Sequence, residues 1–405
     1  MNDARHPAPT ELPTLTGLRG FAALWVLLYH AWVDAVPRLM TIGSGAFVLD
    51  LTPLFSCGWA GVDIFFTLSA FLLSLPFVSW QLGLAPRPSL RTFWLRRVLR
   101  IFPAYYAQIL VLLALAAFGI GTWPGLGQLA GNLVLWFNFG TFGVAPINPV
   151  TYTLPIEFCF YLLLPLLAFL LRPRWWPWLL VLAVVETQAY RHLVFARVAD
   201  AEVTLRVVAL EQLPGRLDQF VLGMLAAYAY GRAAIAQRLP RPRTNDALFV
   251  LGCTGVAALA WLIHRGIGTY WEGSALLFVW HGAMGAAVAL MLFACAAGSR
   301  VADALFGNRI LHYVGVISFG LYLWHYPVLR WFDGAGAFDH VEGYRLPWIL
   351  PMLLLSACLI ADLSYRLIER PLLRLGRSGS RHPGVTSDQV PAADTNRAPA
   401  HPPAH

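Results

Sequence analysis

The sequence contains no lysine, so all its positive charge is carried by arginine. Charged residues make up only 12% of the chain, against roughly 25% in an ordinary soluble protein. That scarcity excludes a solvated surface over most of a 405-residue chain. Cysteine is sparse as well: Cys57, Cys159, Cys253, Cys295 and Cys358 stand singly, mostly inside apolar runs, which excludes a disulfide framework and a cysteine-rich metal site. No basic segment directly precedes the first apolar run and no small-residue cleavage site follows it, so that run is expected to remain as an anchor rather than leave as a signal peptide. The formal net charge is +8, yet no nucleic-acid motif accompanies it.

What the chain has in excess is apolar: 58% of residues, with a mean hydropathy of +0.61. Runs of about 17 to 25 apolar residues, each long enough to cross a bilayer as a helix, recur almost to the end. The expected fold is an all-α polytopic membrane protein with about ten spans, at about 20–36, 59–77, 101–120, 153–171, 176–194, 217–231, 246–264, 274–296, 310–331 and 346–368. The stretch 126–139 is shorter and rich in Gly and Asn, and is expected to re-enter rather than cross. The strongest basic cluster, Arg87, Arg91, Arg96, Arg97 and Arg100, follows the second span, which puts that loop and both termini in the cytoplasm. Residues 1–13 are expected to form a cytoplasmic N-terminal segment, 14–375 the membrane domain, and 376–405, rich in Pro, Ala, Ser and Thr, a disordered cytoplasmic tail.

Ionisable groups inside apolar spans are costly to bury and point to function. His30, Asp63, Ser69, Glu157 and His325 fall within the spans, and the topology places many of them at a similar depth. Two histidines and two carboxylates suit general acid-base chemistry, with one acid orienting the histidine that removes a proton. They also suit a proton relay. A metal site is the weakest reading, since no two of them lie at i, i+3 or i, i+4 on a helix. Toward the cytoplasmic side lie Arg19, Arg97, Arg100, Arg366 and Arg370, whose forked guanidinium groups match phosphate oxygens and also anchor to lipid headgroups. From Arg19 to His30 a helix rises roughly 16 Å.

Several stretches together resemble the acyltransferase-3 family of membrane acyltransferases. They are Thr16-Gly17-Leu18-Arg19-Gly20 with His30 beyond it, Gly61-Val62-Asp63-Ile64-Phe65-Phe66-Thr67-Leu68-Ser69-Ala70-Phe71, and Arg96-Arg97-Val98-Leu99-Arg100-Ile101-Phe102-Pro103-Ala104-Tyr105. The likeness continues through Tyr152-Thr153-Leu154-Pro155-Ile156-Glu157, Pro214-Gly215-Arg216-Leu217-Asp218, Ser318-Phe319-Gly320-Leu321-Tyr322-Leu323-Trp324-His325 and Glu369-Arg370-Pro371. Tyr152 stands where the family usually has Trp, Ala70 where Gly is usual, and Glu157 is a single acid where many members have two.

The resemblance implies an integral enzyme of the inner membrane that takes an acyl group, acetyl foremost, from cytoplasmic acyl-coenzyme A and needs no metal. It implies delivery to a hydroxyl of a carbohydrate or glycolipid acceptor, with the bilayer and that acceptor as partners and no nucleic acid. By the same resemblance Arg19, Arg97 and Arg100 hold the donor and His30 is the base. Glu157 or Asp63 would orient it, and His325 is the alternative base. Ser69, Tyr322, Arg216 and Asp218, which lie in these motifs, are the candidate substrate-binding residues. The rival reading is a proton-coupled transporter or flippase whose His and carboxylate groups carry protons. The sequence leaves the acceptor, the acyl group and the oligomeric state open.

Overall fold

The computed structural model describes residues 12–378 apart from 36, 45–46 and 138–143. The expected N-terminal segment up to 11 and the expected tail from 379 lie outside the described residues. The chain begins with α1 (Pro13–Asp34), whose proline occupies a position that needs no backbone donor. A small antiparallel hairpin of β1 (Thr41–Ser44) and β2 (Phe47–Asp50) pairs Thr41 with Asp50, and the short α2 (Thr52–Ser56) follows. Then come α3 (Gly61–Gln81), α4 (Leu90–Ala117), α5 (Leu126–Leu133), α6 (Thr153–Ala168), α7 (Trp176–Val198), α8 (Val203–Leu210) and α9 (Leu217–Ile235). The last third holds α10 (Pro242–Tyr270), α11 (Ala275–Ala296), α12 (Arg300–Phe306), α13 (Arg309–Gly334), α14 (Leu346–Ser364) and, after a π-helical turn over Tyr365–Glu369, α15 (Arg370–Ser378).

The all-α polytopic expectation is met. Each of the ten stretches read as spans falls on a helix of 16 residues or more. Among the described residues seven helices are long and apolar enough to cross a membrane, or up to eight if α12 and α13, bent by 70°, count as one span. α1 and α9 fall short of that test and α13 passes it only with α12. Buried residues make up 11 of 22 in α1 and 13 of 26 in α13, against 5 of 28 in α4 and 6 of 29 in α10. The outer helices instead expose Leu110, Val185, Leu251 and Leu355, an apolar rim that lipid satisfies.

The 126–139 stretch yields α5, whose eight residues are too short to cross. Asn132 donates to Ala145 O and accepts from the Ile147 backbone, so the chain doubles back there. Part of the expected re-entrant segment, 138–139, lies outside the described residues.

The packing that positions the site is the parallel pairing of α1 with α13, the most extensive helix contact in the molecule. A Cβ on Gly20 would fall 2.2 Å from Leu311 O, and one on Gly315 would fall 1.9 Å from Thr16 O. Only glycine lets the two backbones touch there. Beyond this contact Ala23, Leu27 and Ala31 pack with Ile317, Leu321 and Val328 and with Leu353 and Ala357 of α14 in one apolar cluster. Ten residues past each glycine stands a histidine, His30 in α1 and His325 in α13.

Candidate functional site

A pocket with about 780 Å³ of empty space, its open mouth included, is walled by α1, α3, α4, α6 and α13. Arg19, Arg97 and Arg100 line it together with Ser69, Glu157 and Tyr322. Arg97 and Arg100 are three residues apart in α4, so one helix face presents both. Their guanidinium groups lie over aromatic rings, Arg97 over Tyr161 at 5.9 Å and Arg100 over Phe319 at 5.5 Å. Arg100 Nη1 also donates to Glu369 Oε2 at 2.9 Å, and Glu369 is delivered there by the π-helical turn that ends α14. Arg97 Nε is buried with no hydrogen-bond partner among the described residues. On the opposite wall Glu157 Oε1 accepts from Ser69 Oγ at 2.7 Å and from the Tyr161 hydroxyl. Glu157 is the single carboxylate lining the pocket, facing three guanidinium groups.

Tyr322 joins this pocket to the histidines. Its hydroxyl donates to Val150 O and lies 3.1 Å from Thr153 Oγ1, while its ring stands 5.9 Å from that of His325. His325 Nε2 in turn lies 3.2 Å from His30 Nδ1. Tyr29 and Tyr326 flank the His30 ring edge-on, with centroids at 5.0 and 5.4 Å. His30 is only partly buried, whereas His325 is 1% exposed.

A third set of charges lies apart from both. Asp63 Oδ1 accepts from Arg216 Nη1 at 3.2 Å and from Gln219 Nε2 at 2.8 Å, and sits 2.7 Å from His281 Nδ1. Its second oxygen accepts from Trp280 Nε1. His281 Nε2 lies 3.0 Å from Glu211 Oε1, and Arg216 donates to Glu211 Oε2 from two nitrogens. Both His281 nitrogens face carboxylates, so the ring bridges Asp63 and Glu211. Burial alone would raise the Glu211 carboxyl, but the charges of Arg216, His281 and Arg191 outweigh it and hold Glu211 well below the usual carboxylate range. Every one of these side chains is buried.

The expected polar cluster at one depth therefore divides into three. Glu157 and Ser69, expected beside the histidines, share the pocket with Arg19, Arg97 and Arg100. Asp63, expected as an orienting acid, is taken up by Arg216 and His281, and neither Asp63 nor Glu157 bonds to His30. Of the candidate substrate contacts, Ser69 and Tyr322 line the pocket. Arg216 and Asp218 do not: Arg216 closes the third network and Asp218, buried in the first turn of α9, accepts from the Gln219 backbone. Arg366 faces outward to Asp362 rather than to the pocket. Sequence reasoning passed over Glu211, His281 and Glu369. His281 carried the same signal as the residues that were chosen, an ionisable group inside an apolar run, whereas Glu369 stood just past the last span in the Glu369-Arg370-Pro371 stretch. Among the described residues no three His, Cys, Asp or Glu side chains are grouped so as to hold a metal ion.

The chain resembles known acyltransferases in sequence. The chain is 25% identical over 395 residues to the O-acetyltransferase OatA of Staphylococcus aureus, covering 91% of this chain and 58% of that protein. It thus spans little more than half the length of that relative. It is 28% identical over 416 residues to the acyltransferase MdmB of Streptomyces mycarofaciens, covering 96% of this chain and 97% of that one. No solved structure matches the chain. The family match takes in every residue of the pocket and both paired histidines, and the chain belongs to the acyltransferase-3 family, whose acyltransferase-domain model matches residues 12–366.

Proposed function

We propose that this protein is a membrane-embedded O-acyltransferase that moves an acyl group, acetyl foremost, from cytoplasmic acyl-coenzyme A to a hydroxyl of an envelope or exported glycan, glycolipid or similar acceptor. The observation that carries this reading is the convergence of Arg19, Arg97 and Arg100 on one pocket whose far wall, Tyr322, abuts His325 and, through it, His30. Three guanidinium groups against one lining carboxylate leave a surplus of positive charge suited to the phosphates of coenzyme A. The long pantetheine arm then leads toward the histidines. The name O-acetyltransferase, borne by the staphylococcal relative, supports acetyl as the group moved.

Chemically, a hydroxyl is a weak nucleophile at neutral pH and needs a base at the moment of attack. His30 takes the acceptor's proton as its oxygen attacks the thioester carbonyl. The carbon–sulfur bond then breaks, the ester remains on the acceptor, and the proton on His30 passes to the departing coenzyme A thiolate. Reconstitution in the inner-membrane orientation, both termini cytoplasmic, completes the reading.

The test is reconstituted protein in liposomes with radiolabelled acetyl-coenzyme A and an envelope-glycan extract as acceptor. Transfer of label with release of free thiol is expected, and His30→Ala should lower it by about 10² to 10⁴-fold while donor binding persists. Proton movement without consumption of acetyl-coenzyme A would replace this reading with a transporter.

A further inference from the structure

We propose that His325 is a positioning residue for His30: it accepts the hydrogen on His30 Nδ1 and so leaves Nε2 of His30 as the basic nitrogen. The inference rests on His30 being the general base of the preceding section. The tautomers follow from the neighbours. His325 Nδ1 lies 3.1 Å from Leu321 O, and a carbonyl oxygen only accepts, so that nitrogen carries a hydrogen. In the neutral ring Nε2 is then bare, and it is this atom that lies 3.2 Å from His30 Nδ1. His30 Nδ1 is also 2.9 Å from Val26 O, so it too carries a hydrogen, directed between the carbonyl and the His325 ring.

What is left on His30 is a lone pair at Nε2, which has no hydrogen-bond partner among the described residues. His30 is the partly exposed ring of the two and His325 the buried one, so His325 stands behind the base rather than before the substrate. When Nε2 takes a proton, His30 becomes an imidazolium and the bond from its Nδ1 to His325 becomes charge-assisted, roughly twice as strong as the neutral bond. That gain exists only as charge develops, which is what accelerates a reaction rather than merely tightening binding. A carboxylate would do this more strongly, but Glu157 is engaged by Ser69 and Tyr161, and Asp63 by His281 and Arg216. A neutral acceptor also spares the bundle a further buried charge.

The test uses full-length protein labelled with ¹⁵N-histidine and reconstituted in bilayers. The ring signals lost in His30→Ala are expected to show a protonated Nδ1 and a bare Nε2, opposite to the preference of imidazole in water. In His325→Leu, which keeps bulk and removes one of the two acceptors, Val26 O alone holds the Nδ1 hydrogen, and part of the His30 population should shift toward the Nε2-protonated form. The kcat for transfer should then fall by about 10²-fold while KM for acetyl-coenzyme A stays within about two-fold. His325→Gln, whose amide oxygen can accept the same hydrogen, should keep the parental tautomer and recover about tenfold of the loss. Parental kcat in His325→Leu, or an unshifted His30 tautomer there, overturns the proposal. If His325→Leu does not fold, His325→Gln still decides it, since an Nε2-protonated His30 in that variant overturns it as well. Full transfer by His30→Ala would sink the base assignment itself, whereas an inactive His30→Ala beside a fully active His325→Leu sinks only the positioning role.

Discussion

The arginine pocket and the Asp63 network both bury several charges in the same bundle, and they settle the cost in opposite ways. Around Asp63 each charge meets an opposite one in close contact: Asp63 and Glu211 are matched by Arg216 and Arg191, with His281 bridging the two carboxylates and Gln219 and Trp280 filling remaining acceptor sites. The pocket leaves charge over. Arg19, Arg97 and Arg100 face Glu157 and Glu369, and empty volume lies between them. A buried set that cancels internally serves as structure, whereas a set left incomplete around open space asks for an anionic ligand. Both sets are made of the same residue types, so it is the balance of charge and the presence of room that separates them.

Three substitutions test that contrast. Arg216→Ala strips the counter-charge from two buried carboxylates at once and is expected to cost about 3 to 5 kcal/mol of stability. Thermal unfolding in detergent measures this, and a parental melting point would show that the network is not a structural tie. Next, Arg97→Ala should leave that melting point nearly unchanged and weaken acetyl-coenzyme A binding by about 1.5 to 3 kcal/mol, the range for a charged hydrogen bond. Lysine at the same position should restore it only in part, because it lacks the planar fork. Equal donor affinity in Arg97→Ala would make this arginine an anchor alone. The smallest effect belongs to Glu157→Gln, which keeps an oxygen for Ser69 and Tyr161 to donate to but removes the negative charge. Donor binding should tighten by about 1 kcal/mol, the scale of one unit charge a few ångströms away in a partly wet site. Weaker binding in a calorimetric titration would place Glu157 on the donor's recognition path rather than opposite its phosphates.

Three long helices also show what hydropathy alone misses. α1, α9 and α13 are the long helices least able to pass as spans on their own composition, and they supply Arg19, His30, Asp218, Gln219, Tyr322 and His325. An interior helix has no lipid face to satisfy, so it can spend its length on glycine contacts and polar groups. Gly20 and Gly315 are the clearest case. Each reads in sequence as a weak helix position, and in the structure each is the point where α1 and α13 touch backbone to backbone.

By itself the sequence determined that this chain lies in a membrane as helices, because apolar runs of spanning length with so few charges have no other stable state. It also marked most of the ionisable residues that the fold gathers into the pocket and the histidine pair, since a buried Arg, His or Glu within such a run stands out wherever it is. It could not say which of them meet. Linear order gives depth along each helix, but partnership depends on how helices rotate and on which pairs approach most closely. Hence Asp63 and Glu157 both read as companions of His30 while the fold sends one to Arg216 and the other to the arginine pocket. The pairing of His30 with His325 was decided only in three dimensions, by two glycines 295 residues apart that let α1 and α13 run side by side until their histidines meet.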